Sequence, residues 1–432
     1  MKWCFKLDYP RIIQIEPTNA CNFNCFFCIR HFWKSEVGYM VPKLYEKIAK
    51  EAFPYISRLT LYGDGESLMH PNFLDFLDIA RRYLPKDSEI FFVTNGSLVN
   101  EKISNIIIKK YHVDEIAFSI DTTNFSKLEK IRLGARSKII FRNLAHLLDL
   151  KKNNDLKIGI SSVVMKSNVE DLPDLVEKAG ELNIDYIVVS HLLPYSKSMY
   201  REILYPLFTG DALIIASELI ERGWPLVLKA IYEELGLAYG HYISLSASRA
   251  LRRIWEKARN MNLEINLPMM IEAKPLIDYL RRIEEIFEAS RRIAKKYGIR
   301  LELPSFFPDS RKRECPYIKN EVMVIRWDGK VVPCMNYIHD HNFYVNDHDK
   351  WIYAVTFGDL KTETVKDVWN KEEYVRFREN VSNISKSMPW CGDCLYSSLG
   401  CWYVKDNLMD CYGNSPTCSE CIYSVNLAKC LI

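Results

Sequence analysis

From residue 11 to residue 190 the apolar positions change period repeatedly. Short runs rich in β-branched and aromatic residues alternate with longer stretches whose apolar residues recur every three or four positions. These are the marks of strands and of helices. The strand-like runs are Arg11–Glu16, Arg58–Tyr62, Glu89–Val93, Glu115–Ile120, Lys157–Val164 and Tyr186–Ser190. Helical spacing fills Lys43–Ala52, Asn72–Tyr83, Glu101–Lys110, Phe141–Lys151 and Leu172–Leu182. Such alternation predicts an α/β fold with a parallel sheet wrapped by helices, and six units suit a partial, TIM-like (β/α)6 barrel. Beyond residue 200 the spacing is mainly helical, at Ala212–Arg222, Ser246–Asn260 and Pro275–Lys296, and returns to a strand pattern at Arg300–Leu303. Pro275–Tyr297 is expected to be the sixth barrel helix. Residues 200–270 then form an elaboration near the open side of the barrel, either a lid or a substrate-recognition element.

Parallel β/α barrels carry their chemistry at the carboxyl ends of the strands, so unusual sequences are expected there. Each predicted strand is followed by one. Strand one leads into Cys21, Cys25 and Cys28, strand two into Gly63-Asp64-Gly65-Glu66, and strand three into Thr94-Asn95-Gly96. Strand four ends in Ser119-Ile120-Asp121, strand five in Met165-Lys166-Ser167-Asn168, and strand six in Ser190-His191-Leu192-Leu193-Pro194. A glycine turn after a strand is usually only a turn. Six motifs on one rim, in register with a cysteine loop, carry more weight.

The 432 residues can bury a large core, and a net charge of +3 gives no sign of bulk nucleic-acid binding. The basic run Arg249-Ala250-Leu251-Arg252-Arg253 reads as a solvated helix face. No run of about 18 apolar residues predicts a membrane span, and the start of the chain has no signal-peptide pattern. Thirteen cysteines without an export signal suggest a reducing cytoplasm and metal ligation rather than disulfides.

Cys21, Cys25 and Cys28 follow the pattern C-x3-C-x2-C. Three thiolates on one tight loop can hold three irons of a cubane cluster and leave the fourth without a protein ligand. Zinc usually takes four ligands, and only His31 stands near enough in sequence to be the fourth. The segment Pro17-Thr18-Asn19-Ala20-Cys21-Asn22-Phe23-Asn24-Cys25-Phe26-Phe27-Cys28 resembles the signature of the radical S-adenosylmethionine (SAM) superfamily. That resemblance implies a SAM-binding 4Fe–4S cluster, reductive cleavage of SAM to a 5′-deoxyadenosyl radical, and hydrogen abstraction from a substrate. It implies that Gly63 and Gly65 approach the SAM amine beside Glu66. The superfamily's Gly-Gly-Glu motif is altered here by Asp64. It further implies that Ser119 and Asp121 meet the carboxylate or ribose, that Arg132 pairs with the carboxylate, and that Thr94 and Asn95 line the adenosine pocket. His191, at the end of strand six, joins the candidate cofactor residues. A ferredoxin-like reductant and an anaerobic host are expected.

Nine further cysteines lie between residues 315 and 430: Cys315, Cys334, Cys391, Cys394, Cys401, Cys411, Cys418, Cys421 and Cys430. Ile325–Val331 reads as a hairpin with an Asp-Gly turn. The arrangement resembles the SPASM domain, an auxiliary-cluster module, so residues 1–304 are assigned to the barrel and 305–432 to a SPASM-type iron–sulfur domain. Two auxiliary 4Fe–4S clusters need eight ligands, and a zinc ribbon is the alternative for pairs such as Cys391/Cys394. The expected partition joins Cys315, Cys334 and Cys411 in one cluster and Cys391, Cys394 and Cys401 in the other. Cys418, Cys421 and Cys430 would supply the remainder, and Cys4 is expected to be structural. Some SPASM peptide-modifying enzymes have an aspartate base after the cysteine that matches Cys334. Met335 stands there in this chain.

The tail from Asn407 through Cys411-Tyr412-Gly413-Asn414-Ser415-Pro416-Thr417-Cys418 to Cys430 resembles that of cofactor-modifying proteins of tungsten-containing aldehyde ferredoxin oxidoreductases. A maturase acting on such an enzyme, its pterin or an associated peptide is the function this implies. A ribosomal-peptide-modifying enzyme is the alternative. It is disfavoured because only ten residues precede the first strand, which leaves no room for a fused peptide-recognition domain. A non-catalytic multi-cluster electron carrier is a third reading, and the intact SAM rim argues against it.

Overall fold

A computed structural model describes residues 8–241 and 244–432. Cys4 lies outside the described residues. Seven strands follow one another in chain order and pair in parallel: β1 (Ile12–Ile15), β2 (Arg58–Leu61), β3 (Glu89–Thr94), β4 (Glu115–Ser119), β5 (Lys157–Val164), β6 (Tyr186–His191) and β7 (Arg300–Glu302). β1 and β2 are buried on both faces, apart from the half-buried Arg58. This is what helix-covered parallel strands require, and it explains why their sequences read as apolar runs rather than strict alternation.

The sheet does not stop at β1. β8 (Val322–Ile325) pairs with β1 in parallel, with Ile12 opposite Val322 and Ile15 opposite Ile325. β9 (Lys330–Val332) folds back on β8 through the expected Asp328-Gly329 turn, where Gly329 has φ +87°. A hairpin of β10 (His341–Val345) and β11 (His348–Ile352) stands apart from this sheet, and β12 (Gly358–Asp359) extends it beyond β9. Among the described residues ten strands form one sheet across the division drawn at residue 304. The cysteine-rich region is therefore fastened to the barrel by backbone hydrogen bonds.

The middle stretch is more helical than its sequence suggests. One long element, Gly210–Ala238, is two helices joined at Gly223, whose φ of 58° and ψ of −155° break the first of them after Arg222. Pro225, near the start of the second, suits the first turn of a helix. With Ser246–Asn260 and Leu267–Glu272 these helices enclose their own apolar core, including Ala216, Leu219, Ile254 and Met270. Lys274–Tyr297 packs against Leu172–Glu181 and leads into β7, as expected of a barrel helix. No helix among the described residues is long and apolar enough to cross a membrane.

Candidate active site and cysteine cavities

The loop after β1 is held by its own polar residues before the first cysteine is reached. The Thr18 hydroxyl donates to the Gly38 carbonyl at 2.6 Å. The Asn19 amide donates to Glu36 O and accepts from Gly38 N, both at 2.8 Å. Further along, Asn24 N donates to Leu133 O at 2.7 Å and Phe26 N to Ile131 O at 2.8 Å, so the cysteine loop is clamped to the segment around Arg132. Gly65 presses on the same loop. A Cβ there would lie 2.4 Å from Thr18 O and 2.5 Å from Ala20 O. Glycine is required at this position by close backbone approach.

These contacts surround a cavity of about 280 Å³. Cys21, Cys25, Cys28, Gly63, Gly65, Glu66, Thr94, Asn95, Ser119 and Arg132 all line it, together with Phe23, Phe27, Asp64, Leu193 and Tyr195. Ten of the twelve rim residues expected from the sequence thus share one wall.

Two do not. The Asp121 side chain is fully buried, and both its oxygens bond to Arg132, at 2.7 Å from Nε and 2.9 Å from Nη2; one also accepts from Val163 N at 2.9 Å. Its carboxylate is taken up in orienting Arg132 and is not free to meet a ligand. His191 is buried behind the rim, with Nε2 3.1 Å from Ser305 O and its ring against Tyr205 and Phe287. Burial pushes its pKa down to about 3, which marks it as a neutral core side chain. His31 is no fourth ligand either, since its Nε2 lies 3.0 Å from Cys25 O.

Burial dominates the electrostatics. It raises all three rim thiols, Cys28 to about 12. It also raises Glu66 to about 7, even though that carboxylate accepts from Thr94 Oγ1 at 2.9 Å and Asn95 N at 2.6 Å. Burial opposes the charge on Arg132, but Asp121 outweighs it and holds the guanidinium firmly protonated. The guanidinium sits over the Phe27 ring at 5.2 Å.

The other nine cysteines fall into two cavities. Cys391, Cys394, Cys401 and Cys411 line one of about 700 Å³. Cys315, Cys334, Cys418, Cys421 and Cys430 line another of about 230 Å³, which shares Tyr62, Gly63, Asp64, Val163 and Leu193 with the rim cavity. Cys411 therefore groups with Cys391 and not with Cys315, contrary to the partition expected from spacing. The Asp410 side chain decides this. It accepts from Tyr412 N, Asn414 N and Thr417 Oγ1, and curls the Cys411 loop away from the smaller cavity.

The 200–270 elaboration adds no residue to the wall of the rim cavity. It docks instead on the Cys391–Cys401 segment: Thr209 N donates to Asp393 Oδ1 at 2.7 Å and Asn266 Nδ2 to Cys394 O at 3.1 Å. Trp255, Arg259 and Glu264 then wall the larger cysteine cavity.

The thiols are not gathered as a single tetrahedral ion would gather them. Zinc–sulfur bonds of about 2.3 Å hold tetrahedral sulfurs about 3.8 Å apart. Among the described residues, the one group of three or more ligand side chains with all donor atoms within 4.8 Å contains no cysteine. Thiolates that each bind a different iron stand further apart. Burial holds Cys315 near 12 and Cys394 near 11, so these thiols need a metal to become thiolates. Arg313, which donates to Met388 O, Pro389 O and Cys418 O, brings positive charge toward Cys421, Cys418 and Cys391.

The model of the radical SAM superfamily matches residues 15–179, and that of the SPASM iron–sulfur cluster-binding domain matches residues 315–395. A tungsten-containing aldehyde ferredoxin oxidoreductase cofactor-modifying protein of Pyrococcus furiosus is 25% identical over 428 residues, covering 98% of this chain and 97% of its own. A probable GTP 3′,8-cyclase of Methanocaldococcus jannaschii is 25% identical over 168 residues, covering 39% of this chain and 54% of its own. The crystal structure of Streptococcus suis SuiB bound to precursor peptide SuiA superposes with a TM-score of 0.52 at 15% identity, covering 86% of this chain and 67% of that one. The cysteine loop at the mouth of a parallel barrel, the cysteine-rich region joined to its sheet and the two matched models agree: the chain belongs to the radical SAM superfamily and carries a SPASM domain.

Proposed function

We propose that this radical SAM enzyme is a maturase serving a tungsten oxidoreductase, with the oxidoreductase, its pterin cofactor or an associated peptide as substrate. The similarity to the Pyrococcus furiosus cofactor-modifying protein supports this reading, because it runs through barrel, elaboration and tail alike, over 98% of the chain. Cys21, Cys25 and Cys28 would hold a 4Fe–4S cluster with one iron free for SAM. Cys391, Cys394, Cys401 and Cys411 would hold a second cluster, and four of the five thiols of the smaller cavity a third. When bound, the first cluster and SAM supply the one-electron bond cleavage that allows a hydrogen atom to be taken from the substrate. The chain supplies position and charge. Arg132, fixed by Asp121, would meet an anionic ligand group. The Gly63-Asp64-Gly65 turn would present close backbone to it, and Thr94 and Asn95, fixed by Glu66, would line the adenosine side. Phe23, Phe27, Leu193 and Tyr195 exclude water.

Anaerobic reconstitution followed by dithionite and SAM, with iron and 5′-deoxyadenosine quantified, tests the chemistry. About twelve irons and steady cleavage are expected. Adding the tungsten oxidoreductase should raise 5′-deoxyadenosine output and change the mass of that protein or its pterin. A rise seen only with a small unrelated peptide would move the reading to peptide modification. Protein that binds iron but never cleaves SAM would leave it an electron carrier.

A further inference from the structure

Two carboxylates and an imidazole from distant parts of the chain meet beneath the Gly63-Asp64-Gly65 turn. Glu16 directly follows β1, Asp64 is the middle of the turn, and His339 comes from the cysteine-rich region. Their ligand atoms all lie within 4.8 Å of one another. His339 Nε2 is 3.6 Å from Glu16 Oε2 and 4.0 Å from Asp64 Oδ2. Hydrogen bonds between such atoms run at about 2.7–3.2 Å, so the three groups face one another without bonding. Glu16 Oε2, Asp64 Oδ2 and both nitrogens of His339 are buried and have no hydrogen-bond partner. Glu16 is 0% exposed and His339 1%.

The arrangement is built rather than loose. Glu16 Oε1 accepts from Asp64 N at 3.1 Å, which fixes the carboxylate and leaves Oε2 toward the ring. A Cβ at residue 63 would lie 2.3 Å from Glu16 Cγ, so glycine there makes room for this side chain. Trp33 stands edge-on to the His339 ring with centroids 4.5 Å apart and closes that side. The neighbouring cations are engaged elsewhere: Arg30 donates to Cys21 O and Phe23 O, and Arg326 pairs with Asp328. Buried carboxylate oxygens left without a hydrogen bond or a cation, as Glu16 Oε2 and Asp64 Oδ2 are, are disfavoured. Bonds of about 2.0–2.2 Å from one ion to imidazole nitrogen and carboxylate oxygen place two donors roughly 3.3–3.6 Å apart; the His339–Glu16 distance of 3.6 Å meets this, and Asp64, at 4.0 Å from His339, needs to move in by a few tenths of an ångström.

We propose that Glu16, Asp64 and His339 bind one divalent first-row ion that accepts nitrogen and oxygen donors, such as Zn2+ or Mn2+, separate from the cysteine cavities. The ion ties the end of β1, the turn after β2 and the cysteine-rich region together. Three protein ligands leave a position for water or a substrate oxygen, and Asp64 is the member that lines both the rim cavity and the smaller cysteine cavity.

The test uses the full chain with its clusters reconstituted, desalted anaerobically and titrated with Mn2+. Bound ion is read from loss of the aqueous Mn2+ electron paramagnetic resonance signal. Mn2+ favours carboxylate over thiolate ligands, so it reports on this site and not on the cysteines. One saturable Mn2+ per chain is expected, displaced by Zn2+, which binds such sites more tightly. E16Q and H339N should each weaken binding at least tenfold while iron per chain stays at the wild-type value. D64N serves where either variant loses its iron. A wild-type protein with no saturable Mn2+, or variants that bind it as well as wild type, would overturn the proposal, whatever the outcome of the SAM-cleavage test.

Discussion

The rim cavity and the larger cysteine cavity are walled on different plans. At the rim three thiols share the wall with two glycines, a buried Glu66, Thr94, Asn95, Ser119 and an arginine locked by Asp121. In the larger cavity four thiols are backed by helices of the 200–270 elaboration and by Trp390 and Tyr403. Both walls carry polar groups. At the rim they are fixed by one another, Glu66 to Thr94 and Asn95 and Asp121 to Arg132, whereas the larger cavity sets Arg259, Glu264, Arg313 and Asp393 among its four thiols. The smaller cavity, with five thiols, shares the Tyr62-Gly63-Asp64 turn with the rim and no residue with the larger one.

The comparison breaks most sharply at the cysteines. Cys25→Ala should lower 5′-deoxyadenosine formation by more than a thousandfold while keeping roughly two-thirds of the iron, since one cluster in three is lost. Cys411→Ser should also lose about a third of the iron but keep SAM binding. If Cys411→Ser abolishes SAM binding as Cys25→Ala does, the two cavities are not independent. Arg132→Ala comes next. It leaves a fully buried carboxylate at Asp121 without its partner, a change worth about 3–5 kcal/mol of stability, read as a lower denaturation midpoint. Gly65→Ala forces a methyl group against two carbonyl oxygens. It should weaken SAM binding at least tenfold, about 1.4 kcal/mol, by calorimetry, with iron content unchanged.

Glu66 sharpens the comparison through pH. Its pKa is raised by burial to about 7, so the folded protein holds a proton there that the unfolded chain releases near its ordinary value of 4.5. The folded state thus binds more protons between these values, and its stability is greatest below the lower value and falls as pH rises through the upper. Against Glu66→Gln, the wild type should lose about 3 kcal/mol between pH 4.5 and 8, measured by denaturant titration of the cluster-free protein. A flat difference would mean that water reaches the carboxylate.

Local signals made the rim legible. Strand, cysteine loop and glycine turn are contiguous in sequence, and their residues meet because parallel strands end on one side. The signal failed where a side chain's partner was remote. Asp121 follows β4 as a ligand-binding aspartate would, and nothing in Ser119-Ile120-Asp121 says that Arg132 and Val163 N consume it. His191 ends β6, but Ser305, over a hundred residues later, fixes its ring. Cysteine spacing could not assign Cys411, because the hydrogen bonds of Asp410 turn that loop. Glu16 carried a faint mark, a carboxylate placed where an apolar strand meets the cysteine loop. His339 carried none.

The pairing of β8 with β1 has a consequence for how the molecule is made. The strand that opens the barrel waits for a partner encoded more than three hundred residues later, and such long-range pairing is slow to form. Until then β1 is a bare edge able to recruit strands from other chains. A ribosome-bound or truncated chain ending near residue 304 would hold its three rim thiols beside that unprotected edge, so protection from aggregation comes with the arrival of Val322–Ile325.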